Sequence, residues 1–512
     1  MKPYLVVIFC AVILFLSVWG LNGKIIPSEL NMPKWTEMGP FGLSPERGRF
    51  ALTYSLIEDK SFYFSVPLAR FALPDVSYRN GKYVSMFAPG VSFFVLPGYL
   101  IGRLFSVPQV GTFLVISTFA ILNSLLIYAI AVQIGTNKNA GIISGLLFLF
   151  ATPAFAYSVT LYQHHISIFL ILLSIYLLMK YKNKLWSWAV IWFLCALAVN
   201  VDYPNVVMMA PIGLIAFAKL FVIRKGLRKF KFTVRVSHIL PMFSVILPLV
   251  FFIWFNLNSY GKIFQLSGTV GGVKAIDEQG NPSVPTYANP EGIEEYLNPE
   301  KQKKNAWKFF QTRGISNAFY LQFFSPDRGI IYFTPVILLG VVGAVILYCK
   351  KNRWLLLLLS VLSVNILLYS MWGDPWGGWA FGSRYLIPSY AILAIFIAVA
   401  LTKFKKNKLF LGVFFALLVY SIAVNSLGAL TTNRNPPQVE VLALEKLSGR
   451  EEKYTYARNI DYLLAGNSKS FVFQAWAKKY ISAKGYYLLV TLPIIAFSGV
   501  LLVKLYKEKN EV

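Results

Sequence analysis

Apolar runs long enough to cross a bilayer, which takes about 20 residues of helix, recur along the chain with polar breaks between them. They cover Leu5 to Leu21, Gly111 to Gly135, Ala140 to Tyr157, His165 to Met179, Leu185 to Val199, Val206 to Val222 and Ile239 to Asn256. Ile330 to Cys349, Trp354 to Met371, Tyr385 to Leu401, Leu409 to Leu430 and Tyr486 to Leu505 complete the series. The pattern predicts about twelve helices, of which the two flanking Asn200 are short and close together. An all-α polytopic membrane protein is the expected fold.

The polar breaks sort by charge. Lys2, Lys138, Lys180, Lys182 and Lys184, the run from Arg224 to Arg235, then Lys350, Lys351 and Arg353, Lys403 to Lys408, and Lys504 with Lys507 fall on alternate loops. Cytoplasmic loops carry such an excess of Lys and Arg, so both termini are expected inside, in a plasma or inner membrane. Of the acidic residues, only Glu508 and Glu511 then face the cytoplasm.

Composition agrees with this reading. Of 512 residues, 56% are hydrophobic and 14% charged, and the mean hydropathy of +0.58 is too high for a soluble protein of this size. The formal net charge of +27 reads as an insertion signal and an attraction to anionic membrane lipids, not as nucleic-acid binding. The first apolar run resembles a signal peptide in length. With no small-x-small cleavage site apparent and Trp19 read as an interfacial anchor, it is expected to be a retained helix. Cys10, Cys195 and Cys349 fall in or at the end of apolar runs, so neither disulfides nor a cysteine metal site is expected.

Three external segments are long enough to carry function: 22–110, 257–329 and 431–485. In the first, Phe50 to Ile57 reads as a short interfacial helix following Glu46 and Arg49, and Val91 to Phe105 as a juxtamembrane helix. In the second, Asp277 to Lys304 has the composition of a flexible loop. The third reads as one or two short amphipathic helices. The expected organisation is a membrane catalytic module over 1–430, containing the first two external segments, followed by 431–512 with the third segment and the last span. Ionisable groups lie mostly near the ends of the spans, so chemistry is expected at the outer interface, not along a mid-membrane path.

Four groups of residues there are candidates. Glu46, in Ser44-Pro45-Glu46-Arg47-Gly48-Arg49, reads either as an ion pair with Arg47 or Arg49 or as a carboxylate placed to take a proton from an acceptor; Asp75 is a second such carboxylate. His164 and His165 open a helix and read either as an interfacial cap or as site residues. Without neighbouring carboxylates they make a poor metal signature, so no cofactor is expected and a divalent metal is left open. Trp372-Gly373-Asp374-Pro375-Trp376-Gly377-Gly378-Trp379 leads through Gly382-Ser383 to Arg384. Glycines permit close backbone approach and arginine grips phosphate through two parallel hydrogen bonds.

The order of these motifs resembles the GT-C superfamily of polytopic glycosyltransferases, in particular its bacterial dolichyl-phosphate-mannose-protein mannosyltransferase-like and ArnT-like members. The resemblance runs through Glu46 to Phe50, Asp75, Gly81 to Gly90, Tyr157-Ser158 with His164, Asn258 to Lys262, Ser325 to Gly329 before Thr334-Pro335, and Trp376 to Pro388. It implies transfer of a sugar from a polyprenyl-phosphate donor to a lipid, glycan or protein acceptor on the external or periplasmic face, with inversion if a single displacement occurs. Glu46, then Asp75, would activate the acceptor. Arg384, with Lys82 or Arg79, would hold the carrier phosphate; His164 and Asp374 would contact substrate; and Trp372, Trp376 or Trp379 would stack on sugar or isoprenoid. The alternatives are an O-antigen-ligase-like envelope polymer enzyme, whose residues would concentrate in a late loop, and a lipid-linked glycan flippase.

Overall fold

In the computed structural model the described residues are 3–225, 230–285, 293–298, 302, 309–449 and 451–508. Arg228, Lys229, much of the loop expected at Asp277 to Lys304, and the terminal residues 1–2 and 509–512 lie outside them.

The apolar runs fold as helices, as their length and lack of charge require. Among the described residues, six helical segments are long and apolar enough to cross a membrane: Pro108–Gln133, His164–Tyr181, Val236–Tyr260, Arg384–Lys403, Lys408–Leu430 and Ala483–Lys507. Shorter apolar helices occupy Tyr4–Ser17, Lys138–Phe150, Leu185–Val201, Pro335–Cys349 and Leu355–Ser370. The chain is an integral membrane protein.

Several expected spans are broken. Val206 to Val222 forms two short helices, Asn205–Met208 and Ala210–Ala218, and then enters a strand at Phe221. Pro211, in the first turn of the second helix, has no N–H to continue a helical ladder from the preceding turn. Pro335 interrupts the run from Ile330 in the same way, leaving the helix Ile330–Phe333, a 3-10 stretch Pro335–Leu339 and the helix Gly340–Cys349.

The fold is not purely helical. Val76–Arg79 and Lys82–Ser85 pair as an antiparallel hairpin, and Gly272–Val273 adds a third strand. Asn80 and Gly81 both have positive φ, 50° and 74°, which is the backbone an Asn-Gly hairpin turn needs. Further two-stranded pairs join Phe221–Lys225 to Phe230–Val234 and Ala275–Ile276 to Pro282–Ser283.

The segments between the apolar helices that are expected to be external pack closely onto the bundle. The helix Ser44–Ile57 buries Phe50, Ala51 and Leu52 completely. It begins at Ser44, so Glu46 and Arg49 lie within it and not ahead of it. The stretch Val91 to Phe105 forms the short helices Gly90–Phe94 and Leu96–Leu104; nine residues at about 1.5 Å each cannot span a bilayer. The second of these lies against Pro108–Gln133 at backbone distance, where a Cβ on Gly98 would run into the Gly111 carbonyl and one on Gly111 into that of Gly98. Glycine at both positions is what lets the two helices approach.

The bundle has two chemically distinct ends. At one, Asn137 N–H donates to Thr402 Oγ1 at 3.0 Å, Glu508 accepts from the amides of Asn137 and Asn139, and Lys406 Nζ donates to the Tyr506 carbonyl at 2.6 Å. This end gathers Lys138, Lys403 and Lys507. Arg384 begins the segment Arg384–Lys403 at the other end, so the length of that segment, about 30 Å at 1.5 Å per residue, separates the basic loops from the candidate residues.

Candidate functional site

The N-terminus of the helix Ser44–Ile57 carries Glu46 and meets Asp75 through Ser44. Glu46, fully buried, accepts from its own chain at Leu43 N–H through Oε2 (3.1 Å) and from Asn433 Nδ2 through Oε1 (2.7 Å). Asp75 Oδ2 accepts from Ser44 Oγ at 2.5 Å. A helix N-terminus favours negative charge and offers unpaired N–H groups, which suits both carboxylates. Burial raises the proton affinity of Glu46, opposed by Leu43 N–H, Lys469, Asn433 and Arg47.

Neither arginine of the motif takes Glu46 as a hydrogen-bond partner. Arg49 donates through Nη1 to the Pro45 carbonyl (3.1 Å) and through Nη2 to Gln163 Oε1 (2.7 Å). Its guanidinium lies 4.5 Å from the ring centroid of Phe87 and 5.7 Å from that of Tyr162. Gln163 passes the contact on by donating Nε2 to Asp202 Oδ2 at 3.1 Å. The amide is thereby fixed between a cation and an anion, and it orients Arg49. Burial pushes Arg49 down to about 10, with Asp202 opposing the shift, and raises Asp202, with Arg49 opposing.

His164 follows Gln163 directly. Its ring stacks on Tyr162 (5.8 Å, 9°) and meets Tyr157 edge-on at 5.5 Å. Arg384 reaches the same aromatic cluster, its guanidinium 5.2 Å from the Tyr162 centroid and 5.5 Å from that of Tyr385. The glycine-rich turn makes this possible. Gly377 has φ +73°, and a Cβ there would stand 3.0 Å from Arg384 Nε.

The turn itself is held from below. Arg328, fully buried, donates to the carbonyls of Trp376 (3.2 Å), Gly378 (3.1 Å) and Asn435 (2.9 Å) and pairs with Asp327 at 2.5 Å. Asp327 Oδ2 in turn accepts from Gln438 N–H at 3.0 Å. This pair fastens the glycine-rich turn to the segment 431–485.

That segment supplies what sequence reasoning missed. Asn433 meets Glu46 across 387 residues of chain. Lys469 is 2% exposed, and its backbone is fixed by Lys469 N–H to the Leu430 carbonyl (2.9 Å) and Gly20 N–H to the Lys469 carbonyl (3.1 Å). Its ammonium lies 4.8 Å from the Trp19 ring centroid. Burial pushes Lys469 down to about 7, with Glu46 opposing the shift. Trp19 is therefore no interfacial anchor: it is fully buried and donates Nε1 to the Ala429 carbonyl at 2.6 Å.

The remaining candidates are distributed differently. Asp374 is exposed, within electrostatic range of Arg384. Arg79 and Lys82 form the last pair before the hairpin turn; Arg79 reaches Gln265 at 3.5 Å and Lys82, exposed, lies 4.1 Å from the Tyr63 centroid. Strand geometry carries them about 13 Å along the chain from Asp75. Trp372 stacks on Phe309 (5.4 Å, 12°), and Trp379 donates to Glu440 at 2.7 Å with Arg434 and Arg458 over its ring. Trp376 contributes its carbonyl to Arg328.

Arg384 Nε and Nη1, Arg49 Nε, Arg47 Nε, His164 Nε2 and Lys469 Nζ are buried without a hydrogen-bond partner among the described residues. Buried donors of this kind are costly unless something accepts from them. A set so rich in cations, with Glu46 and Asp202 as the carboxylates charge-coupled to its members, has the chemistry to take an anion. Among the described residues, no group of three or more His, Cys, Asp or Glu side chains is placed to hold a metal ion.

No family model matches the chain, and no curated protein matches it in sequence. Among solved structures, it is similar to ArnT from Cupriavidus metallidurans in the apo state, at 12% identity over 98% of this chain and 77% of that one, with a TM-score of 0.43. ArnT from the same organism bound to undecaprenyl phosphate is similar at 13% identity over 98% and 77%, with a TM-score of 0.42. The oligosaccharyltransferase of Archaeoglobus fulgidus in the apo form is similar at 13% identity over 96% of this chain and 56% of that one, with a TM-score of 0.38.

Proposed function

We propose that the chain is a membrane glycosyltransferase that moves a sugar from a polyprenyl-phosphate carrier to an acceptor on the outer side of the membrane. The observation that carries this reading is the set of buried, partnerless nitrogens on Arg384, Arg49 and His164 gathered about Tyr162, a ring within electrostatic range of the buried Glu46 carboxylate. It stands beside the sequence resemblance to GT-C enzymes.

In this reading Arg384 and Arg49 hold the carrier phosphate at the end of the bundle opposite the basic loops. The acceptor O–H attacks the anomeric carbon, and its proton passes to Glu46. The bond from that carbon to the phosphate oxygen breaks, leaving its electron pair on the phosphate, where the arginines stabilise the growing charge. One displacement through an oxocarbenium-like state inverts the anomeric centre. Glu46 has room for this role. A carboxylate offers about four lone-pair positions, and Leu43 and Asn433 occupy one on each oxygen.

Undecaprenyl phosphate is accordingly expected to raise the melting midpoint of the detergent-solubilised protein, because a ligand bound only to the folded state stabilises it. Undecaprenol, with the same tail and no phosphate, is expected to raise it far less. Equal shifts from the two lipids would remove phosphate recognition from the account.

A further inference from the structure

Residues 431–437 join the helix Lys408–Leu430 to the helix Gln438–Ser448 without forming helix or strand. Irregular segments ordinarily run over the surface, because their backbone groups need partners, yet here every residue except Arg434 is buried. The segment finds its partners in both halves of the candidate site. Asn433 Nδ2 donates to Glu46 Oε1 at 2.7 Å. Two residues on, the Asn435 carbonyl accepts from Arg328 Nη2 at 2.9 Å and from Ala380 N–H at 3.0 Å. Arg328 also holds the carbonyls of Trp376 and Gly378, in the turn that leads to Arg384.

The chain between and beyond these contacts is stiff. Pro436 and Pro437 have fixed φ, and each confines the residue before it to extended backbone. Asn459, fully buried, fastens the segment from behind: it accepts from Asn435 Nδ2 at 2.9 Å and donates to Thr431 Oγ1 at 3.0 Å and to the Thr432 carbonyl at 2.6 Å. Gln438 N–H pins the far end to Asp327 Oδ2 at 3.0 Å. Two residues of chain reach at most about 7 Å, so the backbone carrying the Glu46 donor and the carbonyl beneath the turn cannot drift apart. Of the two donors to Glu46 among the described residues, Leu43 N–H stands at the start of the same helix, and Asn433 comes from the side of the turn.

We propose that residues 433–438 are a positioning strap that holds the Glu46 carboxylate in register with the turn bearing Arg384, with Asn433 and Arg328 as its positioning residues. This rests on the glycosyltransferase reading, in which base and leaving phosphate act on one anomeric carbon in a single displacement. A misplacement of about 1 Å can cost on the order of 100-fold in rate, so slack in the strap appears in kcat.

Sugar transfer from a panel of polyprenyl-phosphate sugars by the full chain in proteoliposomes tests this, with the undecaprenyl phosphate melting shift recorded in parallel. One glycine inserted between Arg434 and Asn435 keeps every bonding group but adds about 3.5 Å of chain. It is expected to lower kcat by about 100-fold and to retain the lipid-induced shift. A glycine inserted after Gly449, which is exposed with open space around it, should leave kcat unchanged. Asn433→Ala should lower kcat by about 10- to 100-fold, the effect of one hydrogen bond to a charged group. It should also move the acidic limb of the rate profile to higher pH, because the carboxylate loses a donor that favours its ionised form. Lys469, Arg47, Tyr157 and Tyr162, which also act on Glu46 by charge, are unchanged in that variant. Arg328→Lys, which keeps a cation beside Asp327, should lower kcat as well. The double variant Asn433→Ala with Arg328→Lys should be no slower than the slower single one, because a strap released at one end transmits nothing from the other. Native kcat in a folded 434–435 insertion variant would overturn the proposal. If that variant does not fold, losses that simply multiply in the double variant, as for residues acting independently, would overturn it. A native chain that transfers no sugar from any donor would instead reject the glycosyltransferase reading, and the strap's role with it.

Discussion

Glu46→Gln is expected to lower sugar transfer by about 10²- to 10⁴-fold, the range for loss of a general base, while undecaprenyl phosphate still raises the melting midpoint. The substitution preserves volume and leaves an oxygen for Leu43 N–H, so the start of the helix Ser44–Ile57 is kept. What it removes is the ability to accept a proton. Burial raises the Glu46 pKa above its ordinary value of 4.5, and a base works only when ionised. Transfer by the native chain should therefore be full above the raised pKa and be lost as the pH falls through it. Asp75→Asn should cost less than tenfold, because Asp75 accepts the Ser44 hydroxyl and an amide oxygen can take that bond over. If Asp75→Asn abolished transfer and Glu46→Gln did not, the base would be Asp75. Rates of transfer against pH for the three proteins decide between them.

Arg384→Met is expected to weaken undecaprenyl phosphate binding by about 100-fold or more. Two of its nitrogens, Nε and Nη1, are buried without a partner, and each charge-assisted hydrogen bond to a phosphate is worth about 1.5–3 kcal/mol. Arg384→Lys should recover little of this, since an ammonium brings a point charge where the site is shaped for a planar fork. Gly377 and the rings of Tyr162 and Tyr385 surround that plane. Lipid titrations followed by the melting shift measure both variants. Binding by Arg384→Lys equal to that of the native chain would show that charge alone matters there, and unaltered binding by Arg384→Met would move the phosphate elsewhere.

The membrane helices were legible in the sequence because a bilayer imposes length and apolarity on every span. Pro335 and Pro211 mark where that pattern misleads, since hydropathy does not register the broken backbone at Ile330–Leu339 or at Asn205–Ala218. The Asn80-Gly81 hairpin turn has a local signal, but it is a dipeptide set within a predominantly helical pattern. Within the site, Glu46, Arg384, His164 and the glycine-rich turn could be singled out because each lies in a short motif whose chemistry is visible locally. Asn433 and Lys469 could not. Asn433 stands among ordinary polar loop residues, and Lys469 reads as one more solvated lysine until the backbone bonds to Leu430 and Gly20 bury it beside Glu46. No local periodicity encodes a contact across 387 residues. Arg49 was visible, but its partner was not: an ion pair with the nearby Glu46 was the local expectation, whereas the fold provides Gln163 and, through it, Asp202.

The most direct test of the central claim is sugar release from the carrier. Proteoliposomes containing the native chain are given a panel of polyprenyl-phosphate sugars, labelled in the sugar, together with an envelope extract as acceptor, and label is followed by partition between lipid carrier and acceptor. The account predicts that at least one donor loses its label to the acceptor, that free polyprenyl phosphate appears in equal amount, and that the anomeric configuration of the product is inverted. Label that stays on the carrier for every donor, with a folded protein that undecaprenyl phosphate stabilises, would contradict it.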